Sequence, residues 1–462
     1  MKIASDVSPN SERAVPPRTA CVAGRHLPVM PRSCPVRLFM RHALQARGAE
    51  RQPHGGNMKS WVAWLERFTP VQMALLLALV AELLFAVHVG QPNKLMFDEI
   101  YYVPAGRDVF GMIAPANEEH PLFAKWLIGL STALFGDNPV GWRALGTVAG
   151  TATVVAIYAI ALRLSGEVRT AATAAVLAML NQMLFIQARI ATLDVFAGAF
   201  LFAAIAVLAW GYGGTRRWLV GAGLCIGLAV GCKWSTLPFA ALLGLAVLWG
   251  WRRQWLRAAV TFGLAALLAY FATFAPALFY ATSPLKLDQL FAWQAHMYDL
   301  QTRPLAHHTY QSTPWQWPLI TRPIWYLYEP VEGVQRGVLL VGNPAIMWGG
   351  LVALAACLWD GLKERKAGLL IPAALYIFAQ GIWIAIPKKI GFYYYYYFPG
   401  LFLTLLLAAA FHHYYRREDR WLPATFIALS FGLFVYFYPI ISAAPLPNDR
   451  AFEHWMWLST WP

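Results

Sequence analysis

Five acids or bases, Asp98, Glu99, Glu118, Glu119 and His120, fall within 23 positions of a chain that otherwise avoids charge. Over its 462 residues the chain is 58% hydrophobic and only 13% charged. Asp98-Glu99 comes soon after Val71–Val89, the first apolar run long enough to cross a bilayer. A hydroxyl nucleophile has too high a pKa to ionise unaided, and a carboxylate within hydrogen-bond reach can take its proton. A single loop acid is more often solvated than catalytic; an adjacent pair at a membrane exit shifts the balance toward a base. Glu118-Glu119-His120-Pro121…Lys125 carries two readings of equal weight. One is N-terminal capping of an interfacial helix by acids and Pro; the other is a second polar ring around the same site.

Arg143, Arg189 and Lys233 each begin or precede an apolar run. Each is as consistent with snorkelling to headgroups as with function. Together they can surround a phosphate, the leaving group that most needs compensating charge, Arg as a planar fork and Lys as a point charge. Lys125 is placed with this set, and Asp194 can hold Arg189. The stretch His307-His308-Thr309-Tyr310-Gln311-Ser312-Thr313-Pro314-Trp315-Gln316-Trp317-Pro318 lies in a segment, 281–337, too long for an idle connection. Adjacent histidines lack the spacing of a metal site, so Tyr310, Gln311, Trp315 and Trp317 are read as docking an acceptor or a lipid. No metal ligand set is expected, and metal dependence is left open. Tyr393–Tyr397 reads as an interfacial aromatic belt.

These groups have to be held by membrane spans, because apolar runs recur along nearly the whole chain. The runs are 71–89, 144–162, 171–186, 195–212, 218–231, 235–249, 258–280, 338–358, 368–386, 393–411 and 422–441, eleven in all. Pro121–Phe135 is a short twelfth candidate. Five basic loops decide against it: Arg163…Arg169, Arg216-Arg217, Arg252…Arg257, Lys363…Lys366 and Arg416…Arg420. With eleven spans and a cytoplasmic N-terminus all five face the cytoplasm, as the positive-inside rule requires. Pro121–Phe135 is therefore expected to lie in the outer interface. The loops 90–143, 187–194, 232–234, 281–337 and 387–392 and the tail from Ser442 then face outward, carrying Lys388 and Lys389 along with the candidate site residues.

The net charge of +14 does not imply nucleic acid. Residues 1–57 hold nine Lys/Arg against three Asp/Glu and read as a disordered basic tail, either a functional arm or an over-extended start before Met58. Much of the remainder orients the spans. The five cysteines show neither a disulfide framework nor a metal spacing. No nucleotide-binding or Gly-x-Ser-x-Gly pattern stands out, which favours a lipid-linked donor over a cytosolic nucleotide.

An ordered set of motifs covers residues 58–462. Phe97-Asp98-Glu99-Ile100-Tyr101-Tyr102 is followed by His120-Pro121…Lys125-Trp126, Gly141-Trp142-Arg143, Arg189…Leu193-Asp194 and Cys232-Lys233-Trp234-Ser235. Tyr310-Gln311-Ser312…Trp315…Trp317-Pro318 and Asn343-Pro344-Ala345-Ile346…Trp348 come later. The set resembles the bacterial members of the protein O-mannosyltransferase family, which have a GT-C fold and use a phospholipid carrier. The resemblance implies an all-α polytopic membrane enzyme of about eleven spans, with interfacial helices in the first outer loop. It implies inverting transfer of mannose from a polyprenyl-phosphate carrier to Ser or Thr hydroxyls of translocated proteins. Asp98 matches the catalytic acid, Glu99 its partner, and Arg143 an important arginine assigned here to the carrier phosphate. The family usually reads His-Pro-Pro where this chain has His120-Pro121-Leu122. The segment 281–337 is too short for the β-rich insert of eukaryotic members.

The expected protein thus sits in a bacterial inner membrane, with site and C-terminus outside. Its partners are the carrier lipid and an acceptor protein, with the secretion machinery as a candidate route of delivery. A same-fold transferase moving an aminoarabinose-like sugar to lipid A or a glycan is the near rival. A secondary transporter is the distant one, disfavoured because the charges gather at one face and no repeated halves are seen.

Overall fold

The computed structural model describes residues 67–304, 306–386, 390–415 and 421–462. The predicted tail 1–57, Lys388, Lys389 and the basic loop Arg416–Arg420 lie outside the described residues. Helices dominate: α1 (Pro70–Ala86), α2 (Glu99–Phe110), α3 (Phe123–Phe135), α4 (Pro139–Ser165), α5 (Val168–Met179), α6 (Gln182–Ala188), α7 (Leu193–Gly211), α8 (Arg216–Cys232), α9 (Leu237–Gly250), α10 (Trp255–Ala272), α11 (Leu290–Thr302), α12 (Pro344–Glu364), α13 (Ala367–Ala385), α14 (Tyr397–Tyr414) and α15 (Trp421–Ile441).

Each of the eleven predicted runs overlaps a helix. Among the described residues, seven helical segments are long and apolar enough to cross a membrane, and α5–α6, bent by 64°, makes an eighth if counted as one span. The other three runs lie on α1, on α8 and on α9 with its preceding turn, each of 17 residues or fewer. Helix α3 has only 13 residues, too few to span a membrane.

The ends of these helices follow from local chemistry. Thr69 and Gln72 cap the start of α1 reciprocally, with Pro70 at the first position. The Asn138 side chain accepts from the Val140 and Gly141 N–H groups to start α4, and Gly166 ends it at φ 72°. Helices α8 and α10 cross closely along Gly223, Gly227 and Gly231. A Cβ on Gly227 would lie 2.2 Å from the Ala266 carbonyl oxygen, so the stripe of small residues is what allows the approach. Helices α2 and α3 meet in the same way, since a Cβ on Gly129 would sit 2.1 Å from the Gly106 carbonyl oxygen. That contact fixes the helix that begins at Asp98.

The segment 281–337 is not a helical loop throughout. It carries α11 and then most of an antiparallel hairpin, β1 (Ile324–Val331) and β2 (Val334–Leu340), turned through Glu332 and Gly333 at φ 53° and 77°. Two positive φ values in a two-residue turn match the twist of a hairpin. The fold remains all-α in class, with this two-stranded sheet added to it. An isolated bridge between Gln335 and Leu446 joins β2 to the C-terminal tail.

Predicted outer loops gather at one end of the bundle. Lys94 pairs with Glu329 at 2.6 Å, Asn93 donates to Glu332 at 2.6 Å, and Arg336 donates to the Ala443 carbonyl at 2.7 Å. The described basic loops meet at the other end, where the Trp251 indole donates to the Gly214 carbonyl and Lys366 lies 3.3 Å from His413 Nδ1.

Candidate active site

Asp98 stands at the start of α2, directly after Phe97, whose φ of 49° puts a bulky residue in the left-handed region. Such backbone costs roughly 1–3 kcal/mol and persists only where surroundings impose it. The Phe97 ring is held by stacking on Tyr326 at 4.1 Å, with Tyr394 edge-on at 5.8 Å. Asp98 is half-buried, and the Tyr102 hydroxyl, one helical turn further on, hydrogen-bonds its carboxylate. Burial pushes the Asp98 carboxyl up to about 6, opposed by the Lys233 ammonium and reinforced by the Asp194 and Glu119 carboxylates.

Lys233 joins this acid from the end of α8. Its ammonium donates to both Asp194 oxygens, at 2.9 and 2.8 Å, and lies 5.3 Å from the centre of the Tyr394 ring. An ammonium has three N–H groups; the third has no hydrogen-bond partner among the described residues. Asp98, Asp194 and Lys233 therefore form a charged group walled by Tyr102, Tyr326, Tyr394 and Tyr395.

Glu99 and Arg143 lie beside it, and each is fully buried. Glu99 receives the Arg143 Nε and Nη2 groups at 2.7 Å each, and also the backbone N–H groups of Met96 and Ala191. Arg143 spends its remaining donors on the carbonyls of Val89, Pro92 and Lys94.

Two stretches of the chain match family models. Residues 119–280 match the model described as dolichyl-phosphate-mannose-protein mannosyltransferase, and residues 286–368 that of the C-terminal four-transmembrane region of protein O-mannosyltransferase. The polyprenol-phosphate-mannose–protein mannosyltransferase of Mycolicibacterium smegmatis is 28% identical over 385 residues, covering 65% of this chain and 74% of the relative. That of Corynebacterium glutamicum is 27% identical, covering 79% and 88%. The chain belongs to the protein O-mannosyltransferase family.

Solved structures agree on the GT-C fold. A chain of the Saccharomyces cerevisiae protein O-mannosyltransferase Pmt1–Pmt2 complex bound to the sugar donor superposes with a TM-score of 0.73 at 13% identity, covering 86% of this chain and 93% of that one. ArnT from Cupriavidus metallidurans bound to undecaprenyl phosphate gives 0.53 at 17% identity, covering 82% and 67%.

Within this protein O-mannosyltransferase the geometry reassigns several expected roles. Glu99 already accepts four hydrogen bonds, so it braces Asp98's neighbourhood and is not placed to take a proton. Arg143, read as a phosphate ligand, has all five N–H groups committed within the protein. Lys125 gives its three N–H groups to the Ala116, Asn117 and His120 carbonyls at 2.6–3.1 Å, and so closes that loop. Arg189 is held by carbonyls rather than by Asp194: it donates to those of Phe85, Val87 and His88 at the end of α1. Asp194 instead pairs with Lys233.

The second polar ring is partly assembled. Glu119 lies close enough to raise the Asp98 pKa, and the His120 ring packs edge-on against Tyr102 at 6.0 Å. Glu118 points away to His296 of α11 at 2.8 Å. Of the docking aromatics, Trp315 is exposed and Tyr310 half-buried, but Trp317 is buried with its indole donating to Ser312, so it supports the loop rather than meeting a ligand.

The belt reading of Tyr393–Tyr397 is also corrected. Tyr393, Tyr396 and Tyr397 are buried in the core, while Tyr394 and Tyr395 border the site. Sequence reasoning passed over Tyr102, although Asp98 and Tyr102 have the i, i+4 spacing of one helix face. Tyr326 and Tyr394 carried no such local signal. Asp360, Glu364 and His413 could together hold a metal ion. They lie near the far end of α14, a helix roughly 27 Å long, whose near end adjoins Tyr394.

Proposed function

We propose that this glycosyltransferase moves mannose from a polyprenyl-phosphate carrier to Ser or Thr hydroxyls of translocated proteins, on the extracytoplasmic face of a bacterial inner membrane. The names of its relatives support the donor and acceptor, and the basic loops at the opposite end of the bundle support the sidedness.

The observation that carries the mechanism is the half-buried Asp98, with its pKa raised toward neutrality beside an incompletely committed ammonium. Asp98 accepts the proton of the acceptor hydroxyl as oxygen attacks the sugar carbon. Direct displacement inverts that carbon, and the electron pair of the breaking bond leaves with the carrier phosphate. Lys233 meets the developing phosphate charge with its uncommitted N–H, and Asp194 holds it there. Such fixed charge in a water-poor site contributes several kcal/mol. Arg143, Glu99 and Arg189 keep the entry to α2 rigid.

Asp98→Asn is expected to reduce transfer by about 10²–10⁴-fold, the usual contribution of a general base, with the protein still inserted and folded. The measurement is incorporation of radiolabelled mannose from polyprenyl-phosphate-mannose into a Ser/Thr peptide. Wild-type-like incorporation by the variant would overturn the assignment. A product found on lipid A instead of peptide would favour the ArnT-like reading.

A further inference from the structure

A cavity adjoins Tyr395, one member of the tyrosine wall. It is a cleft of about 510 Å³ between residues 307–322, the end of α13, Gly391 and Tyr395, with Thr460 of the C-terminal tail at its rim. Tyr395 connects the two sites. It stacks on Trp383 at 4.2 Å within the cleft lining and packs at 4.6 Å on Tyr394, the ring that lies 5.3 Å from the Lys233 ammonium.

The lining narrows the choice of occupant. Arg322 gives three of its five N–H groups to the carbonyls of Thr309, Thr460 and Pro462 and packs on the Tyr310 ring, so most of its donors tie the loop to the C-terminal tail. Hydroxyls and amides from Thr309, Gln311, Thr313, Gln316 and Thr321 interrupt the apolar surface that a polyprenyl chain would need. Gln311 and Gln316 use their Oε1 atoms on backbone N–H groups, of His308 and Thr313 respectively. Their Nε2 groups make no hydrogen bond among the described residues. The cleft thus presents unspent amide donors beside aromatic faces, which suits the carbonyls of an extended polypeptide.

We infer that the cleft beyond Tyr395 binds the acceptor polypeptide segment flanking the Ser or Thr that reaches Asp98. This rests on the mannosyl-transfer reading and adds to it a subsite for backbone recognition. A single hydroxyamino acid would fill the Asp98 site alone, whereas a longer chain would span both.

The test compares transfer to a blocked single threonine with transfer to a peptide several residues long, using polyprenyl-phosphate-mannose. Thr309→Trp narrows the cleft, and Gln311→Ala removes one donor. For the long peptide, Gln311→Ala is expected to raise KM by about fivefold, as for one lost hydrogen bond, and Thr309→Trp by more. The kcat, the donor KM and transfer to the single threonine should stay at wild-type values. A raised donor KM would assign the cleft to the carrier and overturn the inference. Equal losses on both acceptors would mean a structural role and overturn it as well. Competition by a free oligosaccharide, with peptide KM unaffected by the variants, would assign the cleft to a glycan. Wild-type protein that transfers to neither acceptor would sink the mannosyl-transfer reading itself, and the inference with it.

Discussion

Two buried ion pairs lie around Asp98, built from similar charges and finished differently. In the Glu99–Arg143 pair both side chains are wholly enclosed, every guanidinium N–H is used, and backbone N–H groups complete the carboxylate. In the Asp194–Lys233 pair a tenth of each side chain remains exposed, and one ammonium N–H is left over beside an acid of raised pKa. A pair whose hydrogen bonds are all satisfied can only hold structure in place. A pair with a donor to spare can respond to a charge that arrives or develops. The adjacent positions 98 and 99 thus serve different ends, one acid exposed to chemistry and the other locked to a guanidinium.

The largest expected effect comes from breaking the complete pair. Arg143→Ala leaves the Glu99 carboxylate buried without a cation and should cost about 3–5 kcal/mol of folding stability. Thermal unfolding in detergent would register this as a large drop in Tm. Arg143→Lys should not rescue it, because one ammonium cannot replace a fork that reaches Glu99 and three carbonyls. An Arg143→Ala protein as stable as wild type but defective in donor binding would restore the phosphate-ligand role and erase the contrast between the pairs.

A second effect separates activity from stability. Lys233→Met should lower transfer by about 10²–10³-fold, the range for losing one fixed stabilising donor. It also strands Asp194, so some stability is lost too. Lys233→Met combined with Asp194→Leu removes both charges and should regain stability without regaining transfer, as apolar replacement of a buried pair often does. Recovery of transfer in the double variant would reduce the pair to packing.

Much of the fold was legible because a bilayer imposes a simple rule on composition. Each of the eleven apolar runs overlaps a helix, and loop charge demoted 121–135, which holds a helix of only 13 residues. The site was legible in its residue types more than in their roles. Asp98, Arg143, Asp194 and Lys233 were singled out by position, yet their partners depend on how α2, α4, α7 and α8 meet. Sequence spacing cannot say whether Arg143 faces a phosphate or Glu99, because both offer a fork the same two oxygens. The hairpin did have a signal, since Glu332-Gly333 separates two runs rich in aromatic and β-branched residues. In a membrane chain those runs read as loop and the start of a span.

The smallest predicted effect is the one that most sharpens the comparison. A general base works ionised, so kcat/KM should rise about tenfold per pH unit below the Asp98 value of about 6 and level off above it. Stability runs the other way. The folded value is raised from the ordinary 3.8, so the fold favours protonated Asp98, and its contribution to stability is lost as pH climbs from 3.8 to about 6. Asp98→Asn removes the ionisable group, so above that window the variant should be more stable than wild type even though it is inactive. The two pairs should differ in their hold on this profile. The Lys233 ammonium lowers the Asp98 pKa and Asp194 raises it, so residual activity in Lys233→Met should have its acidic limb moved to higher pH, and Asp194→Asn should move it lower. Arg143 is not among the leading charges that shift Asp98, and a folded fraction of an Arg143 variant should keep the limb close to the wild-type one. A limb that moved with Arg143 and ignored Lys233 would mean that the complete pair, and not the incomplete one, governs the base.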